Sequence, residues 1–135
     1  MNTMTGANAY ARVSVESAVL SAGQAQLTTL LFDGALSALA CAKLCIGNGD
    51  IAARGRHLSK AMDIIDNGLK RPLLDWPEDP LAQQLTALYD YIIFRLLQAN
   101  LHQDIAAISE AETLLGDIAS GWKDSLRIVS GGSEP

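Results

Sequence analysis

The sequence predicts an all-α protein, an antiparallel up-down four-helix bundle with a short N-terminal segment or helix packed on it. Three observations lead there. Alternating β-branched runs are absent, and Ala and Leu dominate. Apolar residues recur at spacings of three and four, the helical period. Helix start and stop signals divide the chain into four long segments with short connections, which makes sequential neighbours antiparallel. No repeat or linker interrupts the 135 residues, a length that fits one domain with one core. The expected domain spans residues 1–135, with residues 1–14 a flexible segment and 130–135 a disordered tail.

The elements follow in order. Residues 9–20 are mixed, and Val13, Val15, Ala18 and Leu20 suit an irregular segment or a brief helix. Ser21-Ala-Gly-Gln24 has the form of a capping box, so the first long helix is expected from about Gln24 to Ile46. Gly47-Asn48-Gly49 stops it, because Gly takes the left-handed conformation at a helix end. Asp50 then caps the second helix, whose stripe is Leu58, Met62, Ile65, Leu69 and Leu73. Pro72 predicts that this helix ends near Lys70 or kinks there. Trp76-Pro77-Glu78-Asp79-Pro80 is a turn, with Asp79 as N-cap and Pro80 at the first position of the third helix. That helix runs to about His102, where a histidine suits a local capping role at the C-terminal end and Asn100 helps close it. Asp104 caps the fourth, with Ile105, Ile108, Leu115, Ile118, Trp122, Leu126 and Val129 on one stripe.

Composition excludes several functions. Hydrophobic content of 49% with 19% charged residues belongs to a folded globular chain. A net charge of −5 without a basic arm opposes nucleic-acid binding. The first twelve residues lack the basic start and apolar stretch of a signal peptide. No stretch is expected to reach the roughly 20 apolar residues of a membrane span. Cys41 and Cys45, one helical turn apart, staple no distant segments and read as a reduced cytosolic pair.

Chemistry has little to stand on. A di-iron bundle needs Glu-x-x-His pairs, and neither His57 nor His102 has a Glu three residues before it. Zinc at Cys41, Cys45 and a histidine is a weaker reading than apolar cysteines packed in a helix. No Gly-x-Ser-x-Gly elbow, P-loop or GxGxxG cradle occurs. No catalytic residue, metal ligand or cofactor is therefore assigned. The informative feature is surplus apolar surface. Between Leu88 and Leu101 the third helix carries only the charges Asp90 and Arg95, and from Gln24 to Asn48 the first carries only Asp33 and Lys43. Small residues punctuate the first helix at Gly34, Ala35, Ala38, Ala40, Cys41 and Ala42, allowing close helix approach or shallow grooves. Two readings stand: a more buried helix pair, which includes a homodimer, or a groove for a partner helix.

Ala9-Tyr10, Val15-Glu16-Ser17, Leu30-Leu31-Phe32-Asp33-Gly34-Ala35, Lys60-Ala61-Met62-Asp63-Ile64-Ile65, Leu88-Tyr89-Asp90-Tyr91, Ala99-Asn100 and Trp122-Lys123, taken in that order, resemble the FliS family of flagellar secretion chaperones. The likeness spans residues 9 to 125. Phe32 stands where the family usually has tyrosine, Ala25-Gln26 replaces a more charged lead, and Gly68 interrupts the second helix. The resemblance implies a cytoplasmic, non-enzymatic export chaperone without a cofactor. Its cargo would be the C-terminal segment of flagellin, kept from premature polymerisation and presented to the export gate of the flagellar type III secretion apparatus. Other flagellar regulators are candidate further partners. Nucleic acid and membrane insertion are not expected. The cargo contacts implied are Tyr10, Val13, Leu27, Leu31, Leu36 and Leu39, with Tyr89, Ile93 and Leu97 from the third helix. The stripe Leu85-Leu88-Ile92-Leu96 is assigned to the core, as is Trp122. The segment around Tyr10 and Val13 is expected to lie over part of the groove and move aside for cargo. The alternatives are a dimeric structural or adaptor bundle and a metal- or cofactor-binding bundle.

Overall fold

The computed structural model describes the backbone of residues 6–132 and the side chains of residues 23–128. Four α-helices form an all-α bundle with no strand among the described residues: α1 (Gly6–Asn48), α2 (Ile51–Asp63), α3 (Pro80–His102) and α4 (Ile105–Gly132). After α2 the chain winds on as a π-helical segment, Ile64–Lys70, and a 3-10 turn, Arg71–Asp75. α1 packs on α2 and α4, and α3 packs on the same two, so α1 and α3 lie diagonally opposed.

The connections are built as their residues dictate. Gly49, at φ 73°, closes α1: its N–H donates to Ile46 O at 3.2 Å, and Asp50 N–H donates to Cys45 O at 2.9 Å. The Asp50 carboxylate then accepts from Ala53 N–H. Asp79 accepts from Leu81 N–H at 2.9 Å, with Pro80 at the first helical position where no donor is needed. α3 ends at Gln103, a left-handed residue with φ 54°, whose N–H returns to Ala99 O. Asp104 accepts from Ala107 N–H and opens α4.

Three expectations change. α1 is one helix of 43 residues from Gly6, so Ser21 is interior to it and starts nothing. Inside a continuous helix the amides that a capping box would satisfy already belong to the preceding turn. Residues 9–20 are thus the early part of α1; the side chains of Tyr10 and Val13 lie outside the described residues. Second, Gly23–Asn48 is long and apolar enough to cross a bilayer, with a mean hydropathy of 1.6. Its two charges are answered within the bundle, however: Lys123 Nζ reaches Asp33 at 3.1 Å and Lys43 Nζ reaches Glu112 at 2.5 Å, both across to α4. One face of it, with Phe32, Ala35, Ala38, Leu39 and Ala42, packs into the bundle core, while Leu27, Leu30 and Leu44 are exposed. Third, the second helix leaves α winding already at Asp63, and the break expected near Lys70 is a change of winding between Lys70 and Arg71. It loosens to π winding before Pro72 and tightens to 3-10 winding through it. The wider turn, in which Arg71 N–H reaches Asp66 O, accommodates a ring that ordinary α winding would push against the preceding turn.

The core alternates small and large residues so that close-packed helices interdigitate. α1 supplies Phe32, Ala35, Ala38, Leu39 and Ala42, and α2 with its continuation supplies Leu58, Ala61, Ile65 and Leu69. α3 supplies Tyr89, Ile92, Leu96 and Ala99, and α4 supplies Ala107, Ile108, Ala111, Leu115 and Ala119. Of the expected α3 stripe, Ile92 and Leu96 are fully buried, and Tyr89 joins them. Tyr89 is buried at 3% exposure, whereas Leu85 and Leu88 are half-buried. Among the described residues one charge is buried: Arg54, at 7% exposure, donates from Nε to Asn100 Oδ1 at 3.3 Å and from Nη2 to Asn100 O at 3.1 Å. This ties α2 to the electronegative C-terminal end of α3.

Two substitutions test this packing by denaturant unfolding. Ile65→Ala, at a fully buried site, is expected to cost about 2–5 kcal/mol. Asn100→Ala leaves the Arg54 Nε–H without its acceptor and is expected to cost about 1–3 kcal/mol. A midpoint unchanged in either variant would show that the residue is not held as described.

Candidate functional site

An apolar groove of about 600 Å³ opens between α1, α3, α4 and the rewound segment that follows α2. α1 gives Thr28 and Phe32; the rewound segment gives Gly68, Leu69, Pro72 and Leu73. α3 gives Leu81, Leu85 and Tyr89, and α4 gives Ile118, Gly121, Trp122 and Ser125. No charged side chain is among these residues. The change of winding positions one wall. Gly68 lies so near α1 that a Cβ on it would come within 3.0 Å of Leu31 Cδ1. The missing side chain lets the segment lie against α1, and Pro72 and Leu73 then line the groove.

Two polar atoms are set into the walls. The Trp122 indole donates from Nε1 to Thr29 Oγ1 at 3.0 Å, which fixes the ring, while Thr29 Oγ1 donates to Ala25 O. Burial pushes the Tyr89 phenol up to about 12; like any tyrosine it is protonated at neutral pH and has a proton to donate. Charges lie outside the groove. Lys70 bonds Asp90 at 2.8 Å and Asp66 at 3.0 Å; the hydrogen bond to Asp90, then that to Asp66, raises its pKa above the usual lysine range. Farther along α3, Tyr91 OH and Arg95 Nε donate to the two oxygens of Glu110 at 2.8 and 2.6 Å. The Tyr91 hydroxyl first, and Arg95 second, hold the Glu110 carboxyl below its usual range. This exposed clip joins α3 to α4 outside the groove. Among the described residues no group of three or more His, Cys, Asp or Glu side chains is placed to hold a metal, and Cys41 and Cys45 are half-buried free thiols. The arrangement offers apolar contact and a phenolic donor.

The residues expected to meet cargo separate in space. Tyr89 lines the groove, from a buried position rather than from a free face. Leu39 is fully buried in the core and presents no surface, which removes it as a contact. Leu31 and Leu36 are half-buried against the core, Leu31 on Gly68, and Ile93 likewise packs on the core. Leu27 and Leu97 are exposed outside the groove. Sequence reasoning missed Phe32, Leu69, Leu73, Leu81, Ile118 and Trp122 as groove walls. A usable signal existed for two places: Gly68 and Pro72 in one helix pointed to abnormal winding, and a tryptophan always needs a partner for its N–H.

The chain was then compared with known proteins. The family model for "Flagellar protein FliS" matches residues 6–128. The flagellar secretion chaperone FliS of Salmonella typhimurium (strain LT2) is 55% identical over 123 residues, 91% of each chain. That of Escherichia coli K12 is 50% identical over 126 residues, 93% of each chain. The Bacillus subtilis protein of the same name is 30% identical over 115 residues, 83% of this chain and 82% of its own. With the family model matching from the start of α1 to near the end of α4, and half or more of the residues shared with two of these relatives, the chain belongs to the FliS family of flagellar proteins.

Proposed function

We propose that this protein is a cytoplasmic, non-enzymatic export chaperone that binds the C-terminal segment of flagellin, prevents its premature polymerisation and assists its delivery to the flagellar type III secretion apparatus. The observation that carries this reading is the uncharged groove in a four-helix bundle whose relatives are named flagellar secretion chaperones. An amphipathic segment laid into an apolar groove is a standard recognition mode. Each Å² it buries contributes roughly 25 cal/mol. A tail that orders on binding must offset about 2–5 kcal/mol, so a large apolar contact free of charges is what the task requires. No nucleotide motif is needed, because competition at the export gate can release the cargo.

Phe32, Leu69, Leu85, Tyr89, Ile118 and Trp122 are the groove contacts of this reading, with Tyr10 and Val13 as contacts from the first part of α1. The exposed Leu27 and Leu97 extend the apolar surface beyond it. The Tyr89 hydroxyl donates to a cargo carbonyl. A second copy of the chain could cover the same groove, and light scattering with and without flagellin tail peptide distinguishes the two occupants.

Calorimetry with the C-terminal segment of the host's flagellin tests the reading directly: a saturable one-to-one complex is expected, and absence of binding overturns it. Gly121→Trp places a ring where a new Cβ meets open space. It is expected to plug the groove, raise Kd by about tenfold or more and leave Tm unlowered, since Gly is the weaker helix former. Deleting residues 1–15 is expected to change the tail affinity, and an unchanged Kd would remove Tyr10 and Val13 from the contact surface.

A further inference from the structure

The groove does not account for Trp76. This residue is 65% exposed on the turn between the 3-10 segment and α3, an unfavourable place for a large aromatic ring. The turn beneath it is held by its own hydrogen bonds. Trp76 N–H donates to Leu73 O at 3.0 Å, and Asp79 N–H donates to Trp76 O at 3.2 Å. Gln83 Nε2 donates to Pro77 O at 2.7 Å, while Asp79 caps α3. The backbone that presents the indole is thus anchored at both ends of the turn.

Two further depressions flank the ring. One, of about 250 Å³, lies between Trp76 and the side chains of Leu73, Leu81 and Leu85. These three leucines also line the 600 Å³ groove, so the two hollows share a wall. The other, of about 370 Å³, runs past Trp76 towards Thr86, Ala87 and Asp90. Asp75 and Glu78, one position before Trp76 and two after it, are exposed. Lys70 is paired with Asp66 and Asp90, while Arg71 donates to the neutral Asn67 Oδ1 and keeps its charge. The ledge therefore joins an apolar surface, continuous with the groove, to an acidic edge.

We infer that the Trp76 ledge is a second station of the groove, on which the bound polypeptide seats an apolar side chain with a basic residue beside it. The inference rests on the groove holding a flagellin tail, and it adds where that tail continues and which chemistry it brings. Tryptophan is enriched among the few residues that carry most of an interface's binding energy, and a turn already ordered by its own hydrogen bonds loses little backbone freedom on binding. The apolar side chain fills the hollow between Trp76 and Leu73, Leu81 and Leu85. The basic residue meets Asp75 and Glu78, which gives the complex a salt-dependent component.

The test is calorimetric titration of the full chain with the flagellin C-terminal tail peptide, at low and high sodium chloride. Trp76→Ala is expected to raise Kd by about tenfold or more with Tm nearly unchanged, and Trp76→Phe to recover part of the loss. The double variant Asp75→Asn, Glu78→Gln is expected to weaken binding at low salt only and so to flatten the salt dependence. A Trp76→Ala protein that binds within twofold of the unaltered chain, while Gly121→Trp loses binding, overturns the ledge and leaves the groove reading standing. No binding by the unaltered chain overturns both. A dimer that Trp76→Ala dissociates, with tail affinity unchanged, overturns it in favour of a second copy on the ledge.

Discussion

Gly68 lies against Leu31 at a distance that leaves space for a hydrogen but for no methyl group without adjustment of the leucine. Much of the functional geometry depends on this contact. It lets the segment after α2 press on α1 while its winding opens from α to π and then tightens to 3-10 through Pro72. Ile65 and Leu69 stay in the core across this change, whereas Pro72 and Leu73 turn to the groove. A regular α-helix through the same residues would carry a proline in its interior, at a cost of about 3 kcal/mol or more. The altered winding accommodates the proline and shapes a wall in the same step.

The groove shows how a small bundle can keep apolar surface open without losing its fold. The core is already complete below it, with Leu39, Leu58, Ile65, Ile92, Leu96, Ile108 and Leu115 fully buried. Small residues at Ala35, Ala42, Ala61, Ala99, Ala107 and Ala111 let the helices come close enough for these large ones to interlock. Phe32, Tyr89 and Trp122 then form a layer between core and groove. Tyr89 and Trp122 each contribute an apolar body and one donor, so the surface is adhesive and still directional. Large open apolar patches are uncommon on monomers and mark interaction sites.

Charge is arranged around that surface rather than in it. Asp33 with Lys123 and Lys43 with Glu112 join α1 to α4; Lys70 with Asp90 joins the rewound segment to α3. Exposed pairs of this kind are worth about 0–1 kcal/mol each. Their value here is positional: they hold Asp33 and Lys43, the two charges of α1 after Gly23, outside the groove, so that neither must be desolvated when an apolar segment enters. The buried Arg54 plays another part, since it grips the last turn of α3 through both the side chain and the carbonyl of Asn100.

The all-α class, the helix connections and the absence of a recognisable catalytic motif were legible in the residues alone. Asp50, Asp79-Pro80, Asp104 and Gly49 each act within a few residues of chain, so their local chemistry decides the outcome wherever the helices finally pack. The family likeness was legible for a similar reason, as short runs in a fixed order. The start of α1 was not legible, because a capping pattern at Ser21 competes with a helix that is free to run through it. On α3 the core places of Ile92 and Leu96 were legible but that of Tyr89 was not, since Leu85, Leu88, Tyr89, Ile92, Ile93, Leu96 and Leu97 offer more than one apolar stripe. Which stripe is buried depends on how the helix is rotated against α2 and α4, and that rotation is set by side chains distant in sequence. Leu39 was misplaced for the same reason, and Trp122 became a groove wall only once Thr29, far back in the chain, supplied its acceptor. Local hydrogen bonds decide where helices begin and end; only the packing of all four decides which apolar faces are buried together and which remain open.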